Sequence, residues 1–156
     1  MPNYSVIAAS LALAVSFSAW ADFTGKVVGV ADGDSITVLR DREQVKVRLV
    51  DIDAPEKGQP FGNRSKQALE VLVKGQQVLV VERGHDKYHR TLGRIYRGDL
   101  DVNAEQVRQG MAWVFRQYAK DATLDPIEAE AKEQKRGLWR DPAPVPPWEW
   151  RKAKTQ

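Results

Sequence analysis

The stretch Val45-Lys46-Val47-Arg48-Leu49-Val50-Asp51-Ile52-Asp53-Ala54-Pro55-Glu56 contains a strand, its end and the loop beyond it. Val45, Val47 and Leu49 alternate with Lys46 and Arg48, the period of two that marks a half-buried strand over Val45–Val50. Two aspartates follow, then a proline that stops regular pairing, then Glu56. Carboxylates gathered where a strand enters a loop offer the oxygen donors that a hard cation such as Ca²⁺ takes. An arginine beside them carries a fork of donors suited to phosphate. Singly, each residue has an ordinary use, Asp51 as a surface acid and Glu56 as a loop residue. Strict alternation places Arg48 and Asp53 on opposite faces, so both reach one site only where the chain bends or bulges between them.

Upstream, Phe23–Val30 is β-rich, with Val27, Val28 and Val30. Asp32-Gly33-Asp34 supplies a turn. Ser35–Leu39 alternates again, with Ile36 and Val38 on one face, and Arg40–Glu43 is a polar hairpin turn. The region therefore reads as a three-stranded meander. Downstream, Pro55–Gly62 is a Pro/Gly-rich loop, and Asn63–Val73 carries Ala68, Leu69 and Leu72 at helical spacing before Gly75. A fourth strand is expected at Val78–Val81, a polar turn at His85–Thr91 and a fifth strand at Leu92–Tyr96.

Asn103 is a candidate N-cap for a helix running through Val107 to Gly110. Asp125-Pro126-Ile127-Glu128 has the pattern of a capping box, with its helix stopping at Gly137. From Asp141 the chain is proline-rich (Pro142, Pro144, Pro146, Pro147) and then reads Trp148-Glu149-Trp150-Arg151. Five short strands with one helix after the third and two more at the end give a mainly β, α+β chain. The order fits a five-stranded Greek-key OB barrel with about three helices.

Two further clusters carry chemistry. Asp32-Gly33-Asp34 places two acids at a strand start, although Asp-Gly is also an ordinary turn. It is no EF-hand loop, because Ile36 stands at a ligand position and the required Gly and Glu are absent. Asp86-Lys87-Tyr88-His89-Arg90 sets cation, aromatic and cation in one turn, a grouping that suits a phosphate and a nucleoside ring but also an exposed hairpin loop. His85 and His89 are four apart, yet a turn without a third ligand of like type argues against a histidine metal site. Val107, Met111, Trp113 and Trp139 read as core, and Tyr118 as core edge or site wall.

The chain has 156 residues, 29% of them charged, a formal net charge of +3 and no cysteine. That composition fits one globular domain and excludes disulfides and thiolate metal sites. The mild basic excess is compatible with a polyanionic partner. Residues Met1 to Ala21 lack any charged side chain, and the apolar stretch Val6–Trp20 ends in Ala19-Trp20-Ala21 before Asp22. This reads as a secretory leader cleaved after Ala21, too short and serine-interrupted for a membrane span. The expected division is residues 1–21 as leader, 22–140 as the barrel domain and 141–156 as a Pro/Trp-rich tail. The processed protein would be exported, to periplasm or medium, without a membrane span.

Taken in order, the clusters resemble one family. Asp32-Gly33-Asp34 opens a strand and Arg48-Leu49-Val50-Asp51-Ile52-Asp53-Ala54-Pro55-Glu56 closes the next. Asp86-Lys87-Tyr88-His89-Arg90 precedes a strand ending Arg94-Ile95-Tyr96. Val102 to Ala112 (VNAEQVRQGMA) and Ala129 to Trp139 (AEAKEQKRGLW) follow in register. Over about Thr24 to Trp139 the sequence resembles the staphylococcal nuclease (thermonuclease, micrococcal nuclease) family, and Pro146-Pro147-Trp148-Glu149-Trp150-Arg151 looks like the tail of bacterial relatives.

The resemblance implies a monomeric OB-barrel nuclease that uses Ca²⁺ to cut DNA and RNA, leaving 3′-phosphates. It places metal ligation on Asp34, Asp53 and the backbone carbonyl of Ala54, and an outer acid near the metal on Asp32. It places catalysis on Glu56, Arg48 and Arg90, and nucleotide contacts on Lys87, Tyr88 and Tyr118. Arg116 departs from the pattern, standing where an aromatic is common, and the loop after Glu56 is short and poor in lysine. Two other readings give different expectations. A silent OB domain that only binds nucleic acid or protein would lack cation-dependent cleavage. An interaction module built on Trp148 and Trp150 would lose function on trimming after Asp141.

Overall fold

The structure is a computed structural model and describes residues 21–156. The leader expected over residues 1–21 lies, apart from Ala21, outside the described residues. Strands β1 (Phe23–Asp32), β2 (Ser35–Arg40) and β3 (Glu43–Leu49) form the expected meander, each antiparallel to the next. After a two-residue strand β4 (Ile52–Asp53) and helix α1 (Gly62–Val73) come β5 (Gln77–His85) and β6 (Thr91–Arg97). The order β3-β2-β1-β5-β6 closes on itself through parallel pairing of β3 with β6, Val47 opposite Thr91 and Leu49 opposite Gly93. This is the closed five-stranded barrel that the order of elements implied. Register shifts in β1 between Val27 and Gly29 and between Val30 and Asp32, and in β5 between Glu82 and Gly84, are the bulges that let flat strands coil shut.

Val27, Ile36, Val38, Val47, Leu49, Val78, Val80 and Ile95 fill the barrel. Leu69 and Val73 of α1 join that core, as do Val102 and Val107 of α2 (Val102–Arg108), which follows the short β7 (Leu100–Asp101). Helix α3 (Leu124–Glu133) is the last helix foreseen, and a 3-10 turn at Gly137–Arg140 begins where that helix was expected to stop. The proline-rich tail adds an element that the sequence reading had not assigned, helix α4 (Pro147–Lys154), opened by Pro147 in its first turn. No helix among the described residues is long and apolar enough to cross a membrane.

Two cap assignments are corrected. Asp101, not Asn103, caps α2, its carboxylate accepting from the Ala104 N–H at 3.0 Å. Asn103 is fully buried: it accepts from the Ile95 N–H at 3.1 Å and donates to the Val50 and Gly93 carbonyls at 3.0 and 3.3 Å. A buried amide needs such partners, and here they tie α2 to the barrel. The Asp125–Glu128 capping box does not form. α3 starts at Leu124 behind Thr123, and buried Glu128 accepts from the Val114 N–H of β8 (Trp113–Val114) at 2.6 Å, from Arg116 at 3.0 Å and from Lys132 at 2.6 Å. The turn expected at His85–Thr91 is also shorter, because His85 still pairs with Thr91.

Candidate active site

The bend between Arg48 and Asp53 that the alternation required is present. β3 stops at Leu49, Asp51 adopts a left-handed φ of 67°, and β4 restarts at Ile52. A non-glycine residue takes that conformation when its surroundings fix it. Here the Asp51 carbonyl accepts from the Phe115 N–H at 2.9 Å, and its carboxylate accepts from the Lys120 N–H at 2.9 Å and from Arg94 at 3.2 Å. The turn thus folds the chain back by one residue's worth of direction, and Arg48 Nη2 comes to 3.2 Å from Asp53 Oδ1.

Asp34 joins them from the turn between β1 and β2. Ser35 lies opposite Arg48 in the β2–β3 register, and the Leu49 N–H donates to the Asp34 carbonyl at 2.8 Å. Arg48 Nη2 is 3.1 Å from Asp34 Oδ2, so one guanidinium nitrogen stands between two carboxylates from separate stretches of chain. The rest of Arg48 is spent inward, Nη1 donating to the carbonyls of Leu49 at 2.6 Å and Ile52 at 3.0 Å. Ala54 enters through its backbone, its N–H donating to Asp34 Oδ2 at 2.7 Å. Asp32 lies behind, accepting from the Asp34 N–H at 3.1 Å. Gly33 lets this turn lie against α1: a Cβ there would fall 1.8 Å from Ser65 Oγ and 2.8 Å from the Ala54 Cβ.

Burial drives the Asp34 carboxyl up to about 8; Arg48 opposes the shift, and the nearby acids Asp32 and Asp53 add to it. Two nearly buried carboxylates facing one another therefore call for positive charge. Among the described residues no three His, Cys, Asp or Glu side chains stand close enough to enclose a metal by themselves. The donor set is nevertheless that of a hard divalent ion, carboxylate oxygens supplemented by carbonyls, water and substrate. The Arg48 nitrogen that both aspartates share marks a place where a single positive centre fits.

Glu56 is drawn to a residue that sequence reasoning missed. Arg151, on α4, donates through Nη1 to Glu56 Oε1 at 2.6 Å and to Asp53 Oδ1 at 3.2 Å, and through Nη2 to Asp53 Oδ2 at 2.7 Å. The hydrogen bonds to Asp53 and Glu56, with their charges, raise the Arg151 pKa above its ordinary value despite partial burial. The readable signal was Pro146-Pro147 ahead of Trp-Glu-Trp-Arg, a helix start that would carry Trp148 and Arg151 on one face.

Arg90 stands at the other edge. Its Nη1 is 3.4 Å from Ser35 Oγ, which donates to Asp34 Oδ1 at 3.2 Å. Asp86 orients it, accepting from Arg90 Nε at 2.7 Å and from the Arg90 and Tyr88 N–H groups at 3.0 and 2.8 Å. Lys87 Nζ and Arg90 lie 5.1 and 5.7 Å from the centre of the exposed Tyr88 ring. His89 is the left-handed residue of this turn, and His85 Nε2 lies 3.5 Å from Glu82 Oε1. Tyr118 is exposed and leans edge-on against Phe115, 4.8 Å between ring centres. It is joined to the cluster only through Phe115 and the Asp51 turn. Arg116, the departure from the pattern, is engaged by Asp125 and Glu128 at 2.9 and 3.0 Å.

The arrangement brings three acids and three guanidinium groups from separate stretches of chain to one edge of the barrel. Residues 46–141 match the family described as staphylococcal nuclease homologue. The chain is 48% identical to a micrococcal nuclease of Shigella flexneri, over 94% of this chain and 91% of that protein. It is 49% identical to an uncharacterized endonuclease of Escherichia coli O157:H7, over 86% and 88%. It is 42% identical to an uncharacterized endonuclease of Haemophilus influenzae, over 83% and 73%.

Proposed function

This chain belongs to the staphylococcal nuclease family, and from that premise we propose that it is an exported, monomeric, Ca²⁺-dependent nuclease that hydrolyses DNA and RNA and leaves 3′-phosphates. The observation that carries the reading is the meeting of Asp34 and Asp53 on one Arg48 nitrogen, with Glu56 beside Asp53 and Arg90 one hydroxyl away. Export rests on the uncharged leader and its Ala19-Trp20-Ala21 end.

Asp34, Asp53 and the Ala54 carbonyl would hold the cation. When bound, it supplies charge neutralisation at a phosphoryl oxygen and a more acidic water. Glu56 accepts the proton of the attacking water as the new P–O bond forms. The bond from phosphorus to the 5′-oxygen breaks, that oxygen takes a proton from solvent water, and the phosphate stays on the 3′ end. Arg90 and Arg48 flank the phosphate and stabilise charge that grows in the transition state, when it is worth most. In the structure Arg48 is turned to the aspartates, so its service to phosphate requires a cation to take over their charge. Lys87 and Tyr88 extend the site along the substrate, and Tyr118 offers an exposed ring for the nucleotide.

The processed chain should degrade plasmid DNA and RNA with Ca²⁺ and stop with chelator, and end-labelling of the products should find 3′-phosphate. Arg48→Ala and Glu56→Gln should each lower the rate by about a hundredfold or more, the usual loss on removing one preorganised group. Unchanged turnover in either variant would remove that residue from the chemistry, and cleavage in chelator would remove the cation.

A further inference from the structure

α4 carries a guanidinium, that of Arg151, seated on two of the residues assigned above to cation binding and proton transfer. Its position is built by several contacts. Trp148 stacks on Phe115 with 5.4 Å between ring centres and planes 8° apart, and meets the edge of Trp113 at 5.7 Å. Buried Gln59 accepts from the Glu56 N–H at 2.9 Å and donates to the Val145 carbonyl at 2.7 Å, so one side chain joins the Glu56 loop to the tail. Trp150 lines a small cavity between that loop and the tail, together with Gln59, Pro60, Phe61, Leu138 and Pro144.

With Arg151 in place, both oxygens of Asp53 accept guanidinium hydrogen bonds: Oδ2 from Arg151, and Oδ1 from Arg48 and Arg151. A hard cation binds a carboxylate oxygen directly, at about 2.3–2.6 Å for Ca²⁺, so a cation that takes Asp53 competes with Arg151 for the same oxygens. The same guanidinium holds Glu56 Oε1, one carboxylate oxygen of the residue assigned above to proton transfer. The Arg151 side chain is 43% exposed, whereas Asp53 is 2% exposed, so the arginine is the partner free to leave.

We infer that Arg151 is a built-in competitor for the divalent cation, holding the cation-free site closed on Asp53 and Glu56 and setting the cation concentration at which the enzyme switches on. This rests on the function proposed above and adds regulation of the same site. A latch that is closed most of the time weakens apparent cation affinity by the fraction of time the site is open. Hydrogen bonds between charged groups of this kind correspond to a factor of about ten or more.

The test is calorimetric titration of Ca²⁺ into the full chain without substrate, beside thermal melts in chelator and in saturating Ca²⁺. Arg151→Ala should bind Ca²⁺ about tenfold more tightly than wild type, by the same estimate. Arg151→Gln should shift in the same direction, and Lys152→Ala, an equal loss of charge on the exposed side of α4, should leave affinity unchanged. Arg151→Ala should also melt below wild type in chelator, and the gap should close in Ca²⁺. Wild-type cleavage with Ca²⁺ together with equal or weaker Ca²⁺ binding by Arg151→Ala and Arg151→Gln overturns the latch alone. Absence of both Ca²⁺ binding and cleavage in wild type overturns the underlying function, and the latch with it.

Discussion

Two charge clusters flank the Asp51 turn, and they are built inside out from one another. On one side Arg94 is the buried member, 7% exposed, with Asp51, Asp101 and Asp121 reaching it from farther out at 3.2, 2.6 and 3.0 Å. On the other side Asp34 and Asp53 are buried; Arg48, itself 14% exposed, pairs with both, while Arg151 reaches Asp53 from the rim and Arg90 approaches Asp34 only through the Ser35 hydroxyl. A buried guanidinium surrounded by acids is content as it stands, since its donors are used and water screens the outer carboxylates. Buried carboxylates whose partner is an exposed guanidinium, as Asp53 has in Arg151, keep a partner that solvent can reach. The first cluster fixes the loop from Phe115 to Asp121 onto the barrel, and the second leaves its partners exchangeable. The difference sets a cluster centred on a buried guanidinium against one centred on buried carboxylates, although both mix the same residue types.

The largest effect should come from breaking the first cluster at its centre. Arg94→Met leaves three acids around a buried apolar side chain and should cost about 3–5 kcal/mol, as removal of one partner from a buried pair does. Urea unfolding in chelator would measure it. Arg151→Met, which empties the equivalent role on the other side, should cost far less because the arm it removes is exposed. Equal losses in the two variants would erase the distinction between the clusters.

The reactive side was more legible in sequence than the stabilising one. Asp32-Gly33-Asp34 and the run from Arg48 to Glu56 could be read because strand alternation and loop onset are local patterns. The bend that reconciles Arg48 with Asp53 was required by alternation, but its location at Asp51 depends on Phe115, Lys120 and Arg94, all distant in sequence. Asn103 and Glu128 were misread because a polar residue at a helix start has the same local signature whether it caps the helix or is buried against the barrel. Burial decides between the two, and burial is a property of the fold. The helix that carries Arg151 had a readable start at Pro146-Pro147, but its partners did not, because they lie 98 and 95 residues away.

A smaller effect of opposite sign should come from the second cluster. Burial raises the folded Asp34 carboxyl to about 8 from an ordinary value of 3.8. In chelator the folded chain therefore holds this proton more tightly than the unfolded chain, and stability should fall as pH rises from about 4 to 8. Asp34→Asn should flatten that slope and, at pH 8, stabilise the cation-free protein by about 1 kcal/mol or more, while abolishing Ca²⁺-dependent cleavage. Asp101→Asn, which keeps a good N-cap but weakens the Arg94 cluster, should do the reverse, destabilising the fold by about 1–3 kcal/mol. Thermal melts of both variants across pH check the pair. Destabilisation by both would mean that the buried aspartates at the site are as well satisfied as those around Arg94.

The smallest effect belongs to the turn that carries Arg90, and it should appear at the acid end. Burial pushes the Asp86 carboxyl up, but the N–H and side chain of Arg90 and the N–H of Tyr88 together outweigh it and hold the group below its ordinary value. A lowered carboxyl stabilises the fold above its unfolded value and loses that contribution as pH falls through the lower, folded value. The Asp86 limb therefore lies below about pH 4, on the opposite side of the ordinary carboxylate value from the Asp34 slope. Asp86→Asn should remove that limb, worth under about 1 kcal/mol for a pair so near the surface. It should leave the slope between pH 4 and 8 untouched, because Asp86 and Asp34 meet only through Arg90 and the Ser35 hydroxyl. Were Asp86→Asn to shift the neutral slope as well, Arg90 would be coupled to the buried aspartates in the cation-free state. The rim arginines would then be fixed parts of the cluster, and the contrast with Arg94 would be one of degree.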